Sequence, residues 1–178
     1  PRRQRQMCIR DRPNATAPNT LPTITVPYYD DLDIVLDGDP NESVWDDVPV
    51  YDNLLVMDPD TLAEPEYQTD VRFIYSDDGL YVSATMMQPP ETLVARLSSR
   101  DAYINRDSFG ITLDTSGEGL YGYWFVVDLG GSLMDGKVAP ERSFTQQWDG
   151  PWEGASAVHD DGWTAEFFLP WSMMSLPQ

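Results

Sequence analysis

The side chains of this chain that could do chemistry are aromatic and acidic rather than nucleophilic. The loop Trp148-Asp149-Gly150-Pro151-Trp152-Glu153 sets two indoles four positions apart, with Gln146 and Gln147 just before them. An aromatic ring offers an apolar face to the C–H groups of a sugar, while carboxylates and amides fix orientation by hydrogen bonding. Trp148 and Trp152 are therefore candidate glycan contacts, with packing against the rim of the fold as their other reading. Trp124 sits in an apolar run, either as core or as an exposed platform. Carboxylates recur as Asp30-Asp31, Asp37/Asp39, Asp46-Asp47, Asp77-Asp78 and Asp160-Asp161. Oxygen clusters of that kind suit Ca²⁺, although none follows the spacing of an EF-hand loop. Catalysis has little to work with. There is one His (His159), one Cys (Cys8), no nucleophile elbow and no phosphate-binding glycine loop. Among 30 acidic residues, a pair at the separation that glycoside hydrolysis needs arises by chance. A non-catalytic module is expected.

Charge narrows the partners. The chain carries −19 at pH 7, and five of its 11 basic residues fall in the first twelve positions. Such a surface repels phosphate backbones and anionic headgroups, which excludes nucleic acid and acidic membranes as partners. Cys8 has no second cysteine with which to form a disulfide.

The elements that must position these residues read as strands. Thr69–Tyr75 alternates Val71, Phe73 and Tyr75 against Asp70, Arg72 and Ile74. After the Asp77-Asp78-Gly79 turn, Leu80, Val82, Ala84 and Met86 take one face of the next run, so the two form a hairpin. A second hairpin joins Asp107–Asp114 to Leu120–Asp128 through Thr115–Gly119. Its second strand is apolar on both faces, as a central strand should be. Ser143–Trp148, Ala155–His159 and Trp163–Leu169 are further strands, as are Asp33–Leu36 and Val48–Met57. Asn41–Asp47 is a helical turn tucking Trp45 under a sheet, and only Glu91–Ser98 has a trace of helical period. Many short strands with turns every 8–12 residues predict an all-β antiparallel sandwich. Three segments follow: a non-native or disordered basic tail over 1–12, which lacks the apolar region of a signal peptide; a Pro/Thr-rich linker over 13–30; and the sandwich over 31–178. The abrupt end after Trp171 is expected to leave the sandwich incomplete at its C-terminus, with a bare edge or apolar strip.

Five motifs in order resemble carbohydrate-binding module family 9. They are Ile34-Val35-Leu36-Asp37-Gly38 with Val44-Trp45; Asp77-Asp78-Gly79-Leu80-Tyr81-Val82 after its strand; Arg106-Asp107-Ser108-Phe109 with Leu113-Asp114; Phe125-Val126-Val127-Asp128; and Gly162-Trp163-Thr164-Ala165-Glu166 with Leu169-Pro170-Trp171. The version placed before bacterial outer-membrane β-barrels is the most similar in flavour. The resemblance implies a DOMON-like sandwich, an extracytoplasmic location (periplasm or envelope), a downstream barrel in the same chain, and glycan recognition or carbohydrate catabolism, with a purely structural accessory role beside the barrel as an alternative. It makes Trp45 and Trp163 core residues and places Tyr103, Asn105 and Arg106 near the family's binding loop. Founding modules hold a sugar between two Trp rings. Tyr103-Ile104-Asn105 stands where one Trp is expected, Val126 where an Arg is expected, and the second Trp would fall beyond Gln178. Arg100-Asp101 and Arg106-Asp107 read as pairs that tie a loop to the sheet. Some DOMON-like relatives hold haem through Met, His or Lys, which makes Met86, Met87, Met134, Lys137 and His159 the alternative site, against methionine as core filler.

Overall fold

A computed structural model describes residues 23–176. The tail expected over 1–12 and the linker as far as residue 22 lie outside them. Alternation sets the first sheet. β1 (Thr69–Tyr75) and β2 (Gly79–Met86) pair antiparallel from Thr69↔Met86 to Tyr75↔Leu80. The second sheet grows from β3 (Ser108–Leu113) and β4 (Gly122–Asp128), followed by β5 (Leu133–Ala139) and the short β6 (Ser143–Thr145). The chain then returns as β7 (Glu153–His159) and β8 (Gly162–Pro170), which join the first sheet. The strand orders are β1-β2-β8-β7 and β3-β4-β5-β6, with every ladder antiparallel.

The sheets are held together by the faces that alternation turns inward. Val82, Ala84, Ala165, Phe167 and Leu169 of the first sheet share one cluster with Phe125 and Val127 of the second, all at 0 % exposure. Phe109 meets Phe167 edge-on at 5.9 Å. Burying each such large side chain stabilises the fold by roughly 1.5–3 kcal/mol.

The outer face of the first sheet is covered by the chain that precedes β1. A 3-10 turn over Ser43–Asp47 brings Trp45, 4 % exposed, and Val48 against Ile74, with Leu32, Ile34 and Tyr81 around them. This strap is pinned at Gly38, whose N–H donates to Glu166 Oε2 at 3.0 Å and whose carbonyl accepts the Thr164 hydroxyl. Gly38 has φ +93°, and a Cβ there would lie 2.4 Å from the Ser156 carbonyl carbon, so only glycine fits this approach.

Four expectations need correcting. Asp33–Leu36 and Val48–Met57 are not strands: the first lies in the covering strap, and the second contributes one bridge, Tyr51↔Val71. Pro49 and the Asp52-Asn53 break leave no uninterrupted donor row for a ladder. The strand expected over Ser143–Trp148 stops at Thr145. The helical period over Glu91–Ser98 reduces to a 3-10 turn at Pro90–Thr92. In the other direction, β5 has no counterpart among the expected strands, because Asp135, Gly136 and Lys137 disrupt its apolar alternation.

Candidate functional site

The inward ring row of β4 runs out of the sandwich at one end. Phe125 is fully buried, Tyr123 is 8 % exposed, and Tyr121, just before the strand, is 63 % exposed. Lys137 pairs with Tyr123 across β4–β5 and with Thr145 across β5–β6, which puts all three on one face. Its ammonium lies 5.4 Å from the Tyr123 ring centroid and 5.6 Å from that of Trp148. The Tyr123 and Trp148 rings are 4.9 Å apart at 58°. The Ser175 N–H donates to the Tyr123 hydroxyl at 3.1 Å. Burial works to raise the Tyr123 phenol, but the Ser175 hydrogen bonds and the Lys137 charge outweigh it and leave the group below its ordinary value.

Around these groups opens a cleft of about 430 Å³, lined by Tyr121, Tyr123, Lys137, Glu118, Thr145 and Ser175. Tyr121 also borders a smaller cleft of about 220 Å³ beside Leu120 and Pro140, so this residue stands between two concavities. The wall over 115–119 is fixed from within. Asp114 Oδ1 accepts from the Ser116 hydroxyl (2.7 Å), the Ser116 N–H (2.8 Å) and the Gly117 N–H (3.0 Å), while Oδ2 accepts from the Gly119 N–H (2.5 Å). These bonds, led by the Ser116 hydroxyl, hold the Asp114 carboxyl below its ordinary value. A larger concavity of about 540 Å³ lies between loops at Asp52–Leu55 and Glu64–Gln68. It is lined by carboxylates, amides and aliphatic groups without an aromatic ring, so the smaller cleft has the richer recognition chemistry.

Of the residues expected to contact a ligand, Trp148 comes closest to this cleft, half-buried against Tyr123 and Phe125. Trp152 does not present a ring to solvent. It is 4 % exposed, stacked on Phe167 at 5.6 Å and 9° and edge-on to Phe125 at 5.3 Å, so it is core. Trp124 lies on the opposite face of β4, half-buried beside Phe144, with its Nε1–H donating to the Thr145 carbonyl at 3.3 Å. Tyr103 is 88 % exposed and Asn105 exposed, on the loop before β3. Arg106 is buried, and its side chain forms a 2.6 Å ion pair with Asp128 rather than with Asp107. Asp107 Oδ2 instead accepts from the Val94 N–H at 2.7 Å.

Arg100 likewise reaches past Asp101, 4.0 Å away, to Asp135 at 2.8 Å and Asp149 at 2.9 Å. Burial opposes its charge, but these two carboxylates outweigh that and raise its pKa further. Asp101, Asp135 and Asp149 form the carboxylate cluster of the described residues, and none of the acidic pairs singled out for Ca²⁺ belongs to it. The guanidinium already supplies a cation there. Buried Asp135 is satisfied on both oxygens, by Arg100 and by the Gly150 N–H at 2.7 Å. The haem alternative does not converge either. Met86 faces the core from the first sheet, Met134 lies on the outer side of the second, and His159 Nε2 is 2.8 Å from the Thr164 hydroxyl.

Tyr121 and Tyr123 entered the sequence reading only as part of the Leu120–Asp128 strand, and Lys137 only as a haem candidate. One signal pointed to Lys137: it is the single lysine of the chain.

No protein-family model matches the chain, and no curated protein sequence matches it. Among solved structures, it is similar to a carbohydrate binding module family 9 from Caldicellulosiruptor kristjanssonii in complex with glucose, with 17 % identity and a TM-score of 0.58 over 85 % of this chain and 70 % of that one. It is similar again to the module from that organism in complex with cellotriose, with 16 % identity and a TM-score of 0.61 over 86 % of this chain and 70 % of that one. The chain thus has an all-β fold of two antiparallel sheets, the sandwich like that of the family 9 carbohydrate-binding modules.

Proposed function

We propose that this domain binds carbohydrate without acting on it, in the cleft at the end of the sandwich. The observation that carries the reading is the 63 % exposed Tyr121 ring, standing over a cleft lined by Lys137, Glu118, Thr145 and Ser175. A ring for a sugar face with charged and hydroxyl groups around it is what a pyranose requires. The likeness in fold to modules seen with glucose and cellotriose supports the class of ligand. Trp148 backs the cleft through Tyr123 and acts by positioning.

The test is affinity electrophoresis through soluble β-glucans, with calorimetry on cellotriose. Tyr121→Ala leaves the fold intact, because the ring is largely in solvent, and weakens binding at least fivefold. A folded Tyr121→Ala protein with unchanged retardation refutes this site. A wild-type protein that ignores a broad glycan panel refutes the class.

The proposal extends to where the domain works: outside the bacterial cytoplasm, beside an outer-membrane β-barrel of the same chain. Its support is the motif resemblance and a strongly acidic surface. Fractionation of the cells that make the full protein tests it.

A further inference from the structure

Lys137 is the single lysine of a chain that holds 30 carboxylate residues. Its ammonium forms no ion pair among the described residues, whereas Arg100 and Arg106 are both bound to aspartates. It lies instead over two rings, 5.4 Å from the Tyr123 centroid and 5.6 Å from that of Trp148. Rings attract a cation by their negative faces but leave its outward N–H groups free to donate. Lys137 lines the same cleft as Tyr121, where Thr145 and Ser175 add hydroxyl and backbone groups. Glu118 is the one carboxylate on the cleft lining, and it stands beyond ion-pair distance from Lys137.

We propose that this cleft selects acidic sugars, uronates whose carboxylate meets the Lys137 ammonium while the ring's C–H face lies on Tyr121. The inference rests on the carbohydrate-binding reading above and names the class of sugar. A neutral hexose offers the ammonium only hydroxyl acceptors, and charge-assisted bonds to a carboxylate are roughly twice as strong. The chain's overall negative charge opposes a polyanion at long range. At physiological ionic strength that repulsion is damped beyond about 8 Å, whereas the contact with Lys137 is local. Short oligosaccharides at 0.15 M salt (the physiological value) are therefore the appropriate probes.

The experiment is calorimetry with two trisaccharides that share a β-1,4-glucose skeleton: cellotriose, and its counterpart with every C6 oxidised to a carboxylate. Wild-type protein binds the uronate at least tenfold more tightly. Lys137→Met keeps an aliphatic stem over the rings and removes the charge. It abolishes the preference, and Lys137→Arg retains it. Equal affinity of wild-type protein for both trisaccharides, or a uronate preference that survives in Lys137→Met, overturns the selection of acidic sugars while the cleft remains a sugar site. If neither trisaccharide binds, or if Tyr121→Ala changes neither affinity, the site itself is wrong and this inference falls with it.

Discussion

Replacing Glu166 with Gln probes how the strap is held to the first sheet. Glu166 is fully buried beneath it. Oε2 accepts the Gly38 N–H at 3.0 Å, and Oε1 has no partner among the described residues. Burial first, then the charges of Glu42 and Asp37, push the carboxyl from an ordinary 4.5 up to about 7, against the pull of backbone bonds from Gly38 and Asp37. Between those two values the folded chain keeps a proton that the unfolded chain has released. The protonated acid's contribution is therefore complete below pH 4.5, declines as pH rises toward 7, and is lost above it. At about 1.4 kcal/mol per pH unit, the interval amounts to about 3 kcal/mol. Glutamine keeps the size and an oxygen for Gly38 but cannot ionise. Urea unfolding of both proteins from pH 4.5 to 8, followed by tryptophan fluorescence, separates this residue from the many other acidic groups. The stability of Glu166→Gln relative to wild type rises by about 3 kcal/mol across the range and is level above pH 7. A difference that is independent of pH, or one that falls with pH, refutes a buried protonated acid at this position.

Two further predictions concern residues that looked like ligand contacts in the sequence. Trp152→Ala removes the ring between Phe125 and Phe167 and costs about 3–5 kcal/mol, read as a fall in the urea midpoint; a midpoint equal to wild type contradicts its place in the core. Arg106→Leu strands the fully buried Asp128 and costs about 3–5 kcal/mol, and adding Asp128→Asn restores part of it. If the double variant is no more stable than the single one, the ion pair does not account for the loss.

The sandwich was legible wherever one face of a strand is buried and the other is not. β3 shows this directly, with Phe109, Ile111 and Leu113 packed against the core and Ser108, Gly110 and Thr112 exposed on the other side. Alternation fails as a guide where polar groups are buried. In β5, Asp135 is as buried as Phe125 because Arg100 and Gly150 satisfy it, and no local pattern announces partners 35 and 15 residues away. The Ile34 segment looked like a strand because it is apolar, but its apolar groups cover a sheet rather than extend one. The site was harder to read for the same reason. Trp148 and Trp152 share a loop and a chemistry, and only the tertiary fold leaves one half-buried behind Tyr123 and the other in the core. Tyr103 and Arg106, three residues apart, are 88 % and 9 % exposed, a division that spacing does not encode.

The strap has a bearing on how the chain reaches this structure. Its anchor joins Gly38 to residues 126 and 128 positions away, and the β2–β8 ladder it rests on also closes across most of the domain, from Gly79↔Pro170 to Met86↔Trp163. Glu166 and Thr164 are in place to receive Gly38 only after β8 has paired with β2. Each closure costs chain entropy before any contact repays it, so the fold belongs with the slow, high-contact-order topologies. Docking of the strap is therefore expected to follow assembly of the sheet that receives it. Weakening the Gly38 anchor should therefore hasten unfolding far more than it slows refolding, and the strap acts as a kinetic clasp on a sandwich already assembled.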